Sequence, residues 1–206
     1  NFSGGVYFGG PIDDYDDRVP DNNPIDNDIY SWNASIGEYD QKGGHGTHVA
    51  GIIGAKGNNS KGVSGVCWKV RIMPLKVFPH SYNSIIASAI RYAADNGARV
   101  INMSLGNYDY SSLINNAVHY AREKGVIIVA AGGNDNLSTI MYPAGNEGVI
   151  AVASTDENDN KSSFSNYGDW IDISAPGSNI YSTYKTSNNS YAYKNGTSMA
   201  APIVVG

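Results

Sequence analysis

Val126-Ile127-Ile128-Val129-Ala130 constrains the fold more than any other feature of this chain. Five apolar residues follow one another with no polar alternation, and four of them are β-branched. A strand with one face in water alternates; an unbroken apolar run suits a strand covered on both faces. Val149-Ile150-Ala151-Val152-Ala153 repeats the pattern. Helical spacing precedes the first run twice. Ile85, Ile86, Ala89, Ile90 and Ala93 predict a helix over 82–96, ended by Gly97. Leu113, Ile114, Ala117, Val118 and Ala121 predict another over 111–124, stopped by Gly125.

Further strands are expected at 71–77, with an irregularity at Pro74, at 99–104, and at two short stretches near 171–174 and 180–184. Small and apolar residues predict a helix over 45–55, and a last helix begins near Ser198. The alternation gives an α/β fold in three layers, a mainly parallel sheet with helices on both faces. Residues 1–44, rich in Asp, Asn, Gly and Pro, read as loop. No repeat or linker divides the chain, so 1–206 is expected to be one domain.

Composition narrows the function. A net charge of −5 argues against nucleic acid as the main partner. No apolar run reaches membrane-spanning length, and the first residues lack the basic start and apolar core of a signal peptide. The lone Cys67 excludes an intramolecular disulfide and reads as an inert thiol against the core.

Three motifs carry chemistry. Gly196-Thr197-Ser198-Met199-Ala200-Ala201-Pro202 sets a hydroxyl at the start of a helix. Free N–H groups there point toward any oxyanion formed at Ser198. Alone, such a tripeptide is more simply a helix cap. Gly44-His45-Gly46-Thr47-His48-Val49-Ala50-Gly51 supplies an imidazole, which a serine needs before it becomes a useful nucleophile. Val129-Ala130-Ala131-Gly132-Gly133-Asn134 is an apolar strand ending in glycines and an amide, a donor suited to a developing oxyanion.

In this combination the chain resembles the subtilisin-like (subtilase) serine proteases. His45-Gly46-Thr47-His48-Val49-Ala50-Gly51 matches that family's histidine motif and Gly196 to Pro202 its serine motif. Asn134 matches the oxyanion-hole asparagine, and Val100-Ile101-Asn102-Met103-Ser104-Leu105-Gly106 the substrate-binding strand. Four motifs stand in family order over nearly the whole chain, where any one alone is weak. The resemblance implies a serine endopeptidase working through an acyl-enzyme. Ser198 is then the nucleophile, His45 the general base and acid, and Asn134 the oxyanion donor. Extended peptides would add to Ser104, Leu105 and Gly106. Ala131 and Gly132 would line a side-chain pocket that Gly145 and its neighbours close. Tyr108 and Tyr110 read equally as subsite walls and as ordinary surface residues.

The sequence departs from the family at the triad acid. An aspartate should hold the histidine tautomer. The family's Asp-Ser/Thr-Gly motif upstream of the histidine has no counterpart here. Asp13 lies at a suitable distance, but Ile12-Asp13-Asp14-Tyr15-Asp16-Asp17 follows Pro11 and reads as an acidic surface loop. Asn1-Phe2-Ser3-Gly4-Gly5 resembles the segment just after the aspartate strand in family members. The expectation is a catalytic-domain fragment whose acid lies upstream of residue 1, and a poor protease by itself. A catalytically silent peptide-binding or scaffold domain is the alternative.

No cofactor is expected for the chemistry, and His48 is expected to be structural rather than a zinc ligand. His80 and His119 read as surface residues, and Asn102 as a partner for buried backbone. Thr197 either caps its helix or supports the oxyanion site. Lys56-Gly57-Asn58-Asn59-Ser60-Lys61-Gly62-Val63 resembles a family calcium loop, so a structural calcium is the one metal to test. The resemblance further implies a secreted monomer acting on protein or peptide substrates, made with a removable pro-segment.

Overall fold

The computed structural model describes residues 5–9, 44–77, 82–184 and 190–206. Eight strands and four helices lie among them. The strands are β1 (Gly5–Gly9), β2 (Ile72–Lys76), β3 (Val100–Met103), β4 (Ile127–Ala131), β5 (Val149–Thr155), β6 (Ile173–Pro176), β7 (Ile180–Thr183) and β8 (Tyr191–Lys194). The helices are α1 (His45–Gly54), α2 (Asn83–Asp95), α3 (Ser112–Glu123) and α4 (Thr197–Val205). Six strands form one sheet in the order β2-β1-β3-β4-β5-β6, parallel at every pairing. β7 and β8 form a separate antiparallel pair.

The apolar run over 126–130 does what its composition demands. Ile128 and Ala130 join the core beneath α2 and α3, with Ile101, Met103 and Ala151. Val129 and Ala131 join the opposite core beneath α4, with Val152, Ala200 and Ala201. Successive residues of a strand point to opposite faces, so one run serves two helical layers. α1 packs beside α4 through Val49, Ala50, Ile53 and Met199. The expected three-layer α/β fold is present.

Three local expectations are corrected. Residues 5–9 fall in the stretch read as loop, yet form β1, paired on both sides between β2 and β3. Val6-Tyr7-Phe8 is a short run of good strand formers, and its flanking glycines hid it. The strand expected near 171–174 begins at Ile173, opposite Val152. Just before it, the Asp172 side chain takes a backbone position: its carboxylate accepts from Ala151 N–H at 2.8 Å. The reading also lacked β8, whose partner is a short hairpin strand rather than the main sheet. Asp13, the acidic cluster around it and His80 lie outside the described residues.

Candidate active site

The strands of a parallel sheet run the same way, so their carboxyl ends share one edge, where open α/β sheets place their sites. Ser104 follows β3 there, and Gly132-Gly133-Asn134 follow β4. Ser198 is the second residue of α4, which packs across β3 to β6. Ser198 Oγ is 3.4 Å from the carbonyl of Ser104, to which it donates. In return Ser104 Oγ donates to the Ser198 carbonyl at 2.9 Å. The serine helix and the end of β3 are thereby tied directly.

Asn134 is fixed by Thr197. The backbone N–H of Thr197 donates to Asn134 Oδ1 at 2.8 Å, and the Thr197 hydroxyl donates to the same oxygen at 3.1 Å. That hydroxyl accepts in turn from Gly133 N–H at 3.0 Å. Two donors on one side of the amide require oxygen there, so the NH2 group is the free end. Thr197 is fully buried. Gly196 is the N-cap residue, so Thr197 does not cap the helix; it orients the amide beside the first turn that holds Ser198.

His45 opens α1 behind Gly44, whose φ of +130° suits glycine. A Cβ at Gly44 would also collide with the Tyr184 ring. The His45 imidazole is pushed down from 6.5 to about 4, chiefly by burial, with the Lys194 ammonium and the His48 ring adding to the fall. His48, one turn on, is fully buried. Its Nε2 reaches the carbonyls of Ile180 at 3.1 Å and Ala192 at 3.0 Å, bridging α1 to β7 and β8. Its pKa is lowered, chiefly by burial. With Nε2 at these two carbonyls, His48 ties α1 to the β7–β8 hairpin. Ser182 and Thr183 strengthen the same seam by donating to the carbonyls of His48 and Thr47 at 2.8 and 2.7 Å.

The expected substrate segment is brought to the site with changes. β3 itself is paired on both sides, so only its continuation through Ser104, Leu105 and Gly106 is available for a peptide. Leu105 and Gly106 border a cavity of about 150 Å³ with Ile86, Ile114, Tyr142, Pro143 and Asn146. Tyr142 and Pro143 form part of its wall; Ala131 and Gly132 belong to a separate part of the carboxyl edge. They are buried at the end of β4, where Gly132 N–H donates to Val152 O at 2.9 Å. Asn102 partners a side chain rather than backbone, donating to Ser104 Oγ at 2.9 Å. Tyr108 is engaged too: its hydroxyl donates to Asp135 at 2.5 Å. Tyr110 packs edge-on against Tyr142. Cys67 is half-buried rather than in the core. His119 is half-buried as well, instead of a free surface residue.

In the loop over 56–63 one side-chain oxygen is partly engaged. Asn59 Oδ1 already accepts from Lys61 N–H at 3.0 Å. Among the described residues no three His, Cys, Asp or Glu side chains gather around one point. No helix among them is long and apolar enough to cross a membrane.

Comparison with known proteins agrees with this geometry. The Subtilase family (Peptidase_S8) model matches residues 12–206. Thermitase of Thermoactinomyces vulgaris is 48% identical over 185 residues, which are 88% of this chain and 63% of that protein. Subtilisin Savinase of Lederbergia lenta is 47% identical over 166 residues, 79% of this chain and 61% of that protein. The chain thus spans less than two thirds of the length of these relatives. Among solved structures, Sphericase superposes with a TM-score of 0.71 at 41% identity, covering 80% of this chain and 61% of its own. A mutant of the protease domain of PatA gives 0.80 at 26% identity, covering 97% and 75%. Fold, motif order and these likenesses converge: the chain belongs to the subtilase family.

Proposed function

We propose that this chain forms part of the catalytic domain of a serine endopeptidase that cuts peptide bonds through an acyl-enzyme. One observation carries the reading. The Asn134 carboxamide is locked by Thr197 with its NH2 end free, in the first turn of the helix that bears Ser198. A cap alone would not require an amide from another strand end to be held there.

In this reading His45 takes the Ser198 proton as Oγ attacks the scissile carbonyl, and later returns it to the leaving amine. The carbonyl oxygen, gaining charge, accepts from Asn134 Nδ2 and from the Ser198 N–H. First-turn N–H groups lack intrahelical partners and are available for this. The peptide lies along Ser104, Leu105 and Gly106, with Ala131 and Gly132 leaving room for its backbone. The triad carboxylate is supplied by chain upstream of Asn1. It would raise His45 from about 4 toward a useful base. The protein is secreted, carries a pro-segment when made, and acts as a monomer on protein or peptide substrates.

Labelling with a fluorophosphonate tests the proposal. The chain extended upstream of Asn1 is expected to label at Ser198, and Ser198→Ala to abolish it. An extended chain that stays unlabelled defeats the protease reading.

A further inference from the structure

Asn166 is fully buried, carries no catalytic motif, and directs every hydrogen-bonding position of its side chain at the segment around Asn134 or at Tyr108. Its Oδ1 accepts from Asp135 N–H at 3.0 Å and from Leu137 N–H at 3.0 Å. Its Nδ2 donates to the Gly132 carbonyl at 3.0 Å and to the Tyr108 hydroxyl at 3.2 Å. Its backbone N–H donates to the Gly133 carbonyl at 3.0 Å. A primary amide offers two donors and two acceptor sites, and all four are used. Gly133 has φ of +107°, and a Cβ there would collide with the Asn166 amide. Asn166 thus fills the space that the glycine leaves open.

We infer that Asn166 is the positioning residue for the oxyanion donor, and that it couples the Asn134 segment to the peptide-binding segment at Tyr108. The inference rests on the role proposed above for Asn134. Asn134 itself is exposed and follows the end of β4, outside the ladder. Its carboxamide is held by Thr197, but its backbone is bracketed by Asn166, through Gly132 and Gly133 before it and Asp135 and Leu137 after it. An oxyanion donor works only when held within a fraction of an ångström of the charge it meets. Asn166 also reaches Tyr108, two residues beyond Gly106. One buried amide therefore joins the segment that would hold the peptide to the one that would hold its oxyanion. Aspartate cannot replace it, because its second oxygen would face the Gly132 carbonyl without a proton. Serine lacks the reach to span both segments.

The test is a double-mutant cycle in the extended, labelling-competent chain, with Asn166→Asp made in the parent and in an Asn134→Ala background. In the parent, kcat should fall roughly tenfold to a hundredfold while KM changes less than about threefold. In the Asn134→Ala background the same substitution should cost less than about threefold. Equal losses in both backgrounds, or a loss carried by KM, overturn the inference. Asn166→Ser and hydrogen exchange cover the case in which the aspartate variant fails to fold. Exchange at Asp135 and Leu137 should quicken about tenfold or more while α2 is unchanged. Unchanged exchange at those two amides overturns the inference as well. An extended chain that fails to label at Ser198 defeats the functional reading instead, so the two failures are distinguishable.

Discussion

The two halves of the site are finished to different degrees. On the serine side, Thr197, Asn134, Gly133 and Asn166 close a hydrogen-bond network in which the buried side chains have every polar group engaged. On the histidine side, Thr47 Oγ1 and His48 Nδ1 are buried with no hydrogen-bond partner among the described residues. Each such atom costs about 1–3 kcal/mol relative to a satisfied one. The His45 imidazole is also pushed down to about 4. The oxyanion half is thus closed by hydrogen bonds among the described residues, whereas the histidine half keeps unsatisfied polar atoms among them. Along the carboxyl edge of the sheet, β3 ends in Ser104 and β4 in the segment holding Asn134. β1, between β2 and β3, ends at Gly9.

The largest expected effect comes from supplying the triad aspartate that the proposed reading places upstream of Asn1. Extending the chain upstream of Asn1 with an apolar strand ending in Asp-Ser-Gly should raise His45 from about 4 to above its ordinary 6.5, because a nearby carboxylate favours the imidazolium. Turnover should rise by about ten-thousandfold, a scale known from subtilisin, a relative, rather than derived from this geometry. Histidine NMR titration and peptide hydrolysis measure the two outcomes. A His45 that still titrates near 4 in an extended chain that turns over would break the contrast between the halves.

The closed half should respond to loss rather than gain. In the extended chain, Asn134→Ala should lower kcat by about a hundredfold to a thousandfold, again the scale of subtilisin's own oxyanion asparagine. Thr197→Val should cost less, on the order of tenfold, since the Thr197 N–H still holds Asn134 Oδ1 at 2.8 Å when the hydroxyl is gone. Steady-state kinetics on a peptide amide rank the two. A Thr197→Val loss as large as that of Asn134→Ala would mean that the hydroxyl, not the amide, meets the oxyanion.

The same contrast governs how much was legible in the sequence. β4, α2 and α3 were readable because their apolar spacing is long and regular, and burial on both faces leaves a plain signature. His45, Ser198 and Asn134 were readable because each stands in a motif beside glycines that close approach requires. Asn166 was not, since a buried amide that works through loop backbone has no sequence pattern; its meaning lies in Gly132, Gly133, Asp135 and Leu137, some thirty positions away. β1 was hidden for another reason: five residues between glycines carry too little periodicity, and pairing with β2 and β3 decides their conformation. Tyr108 reads equally as a subsite wall and as a surface residue because the sequence cannot show that Asp135 and Asn166 meet its hydroxyl.

The smallest expected effect is on stability. The folded state holds His45 neutral with its pKa lowered from 6.5 to about 4, so between those values the unfolded chain binds a proton that the folded chain does not. His45 therefore contributes stability that is fully present above pH 6.5 and is lost as pH falls through the window to about 4. His48, also lowered by burial, acts in the same direction. Melting temperature should fall as pH drops through this range, and His45→Gln should flatten the fall by removing one titrating group. Supplying the upstream aspartate should reverse the sign for His45: once its folded pKa exceeds 6.5, its contribution is present at low pH and lost as pH rises. Thermal melts of the two chains from about pH 4 to 8 would then diverge in slope, and parallel slopes would show that His45 is indifferent to the acid.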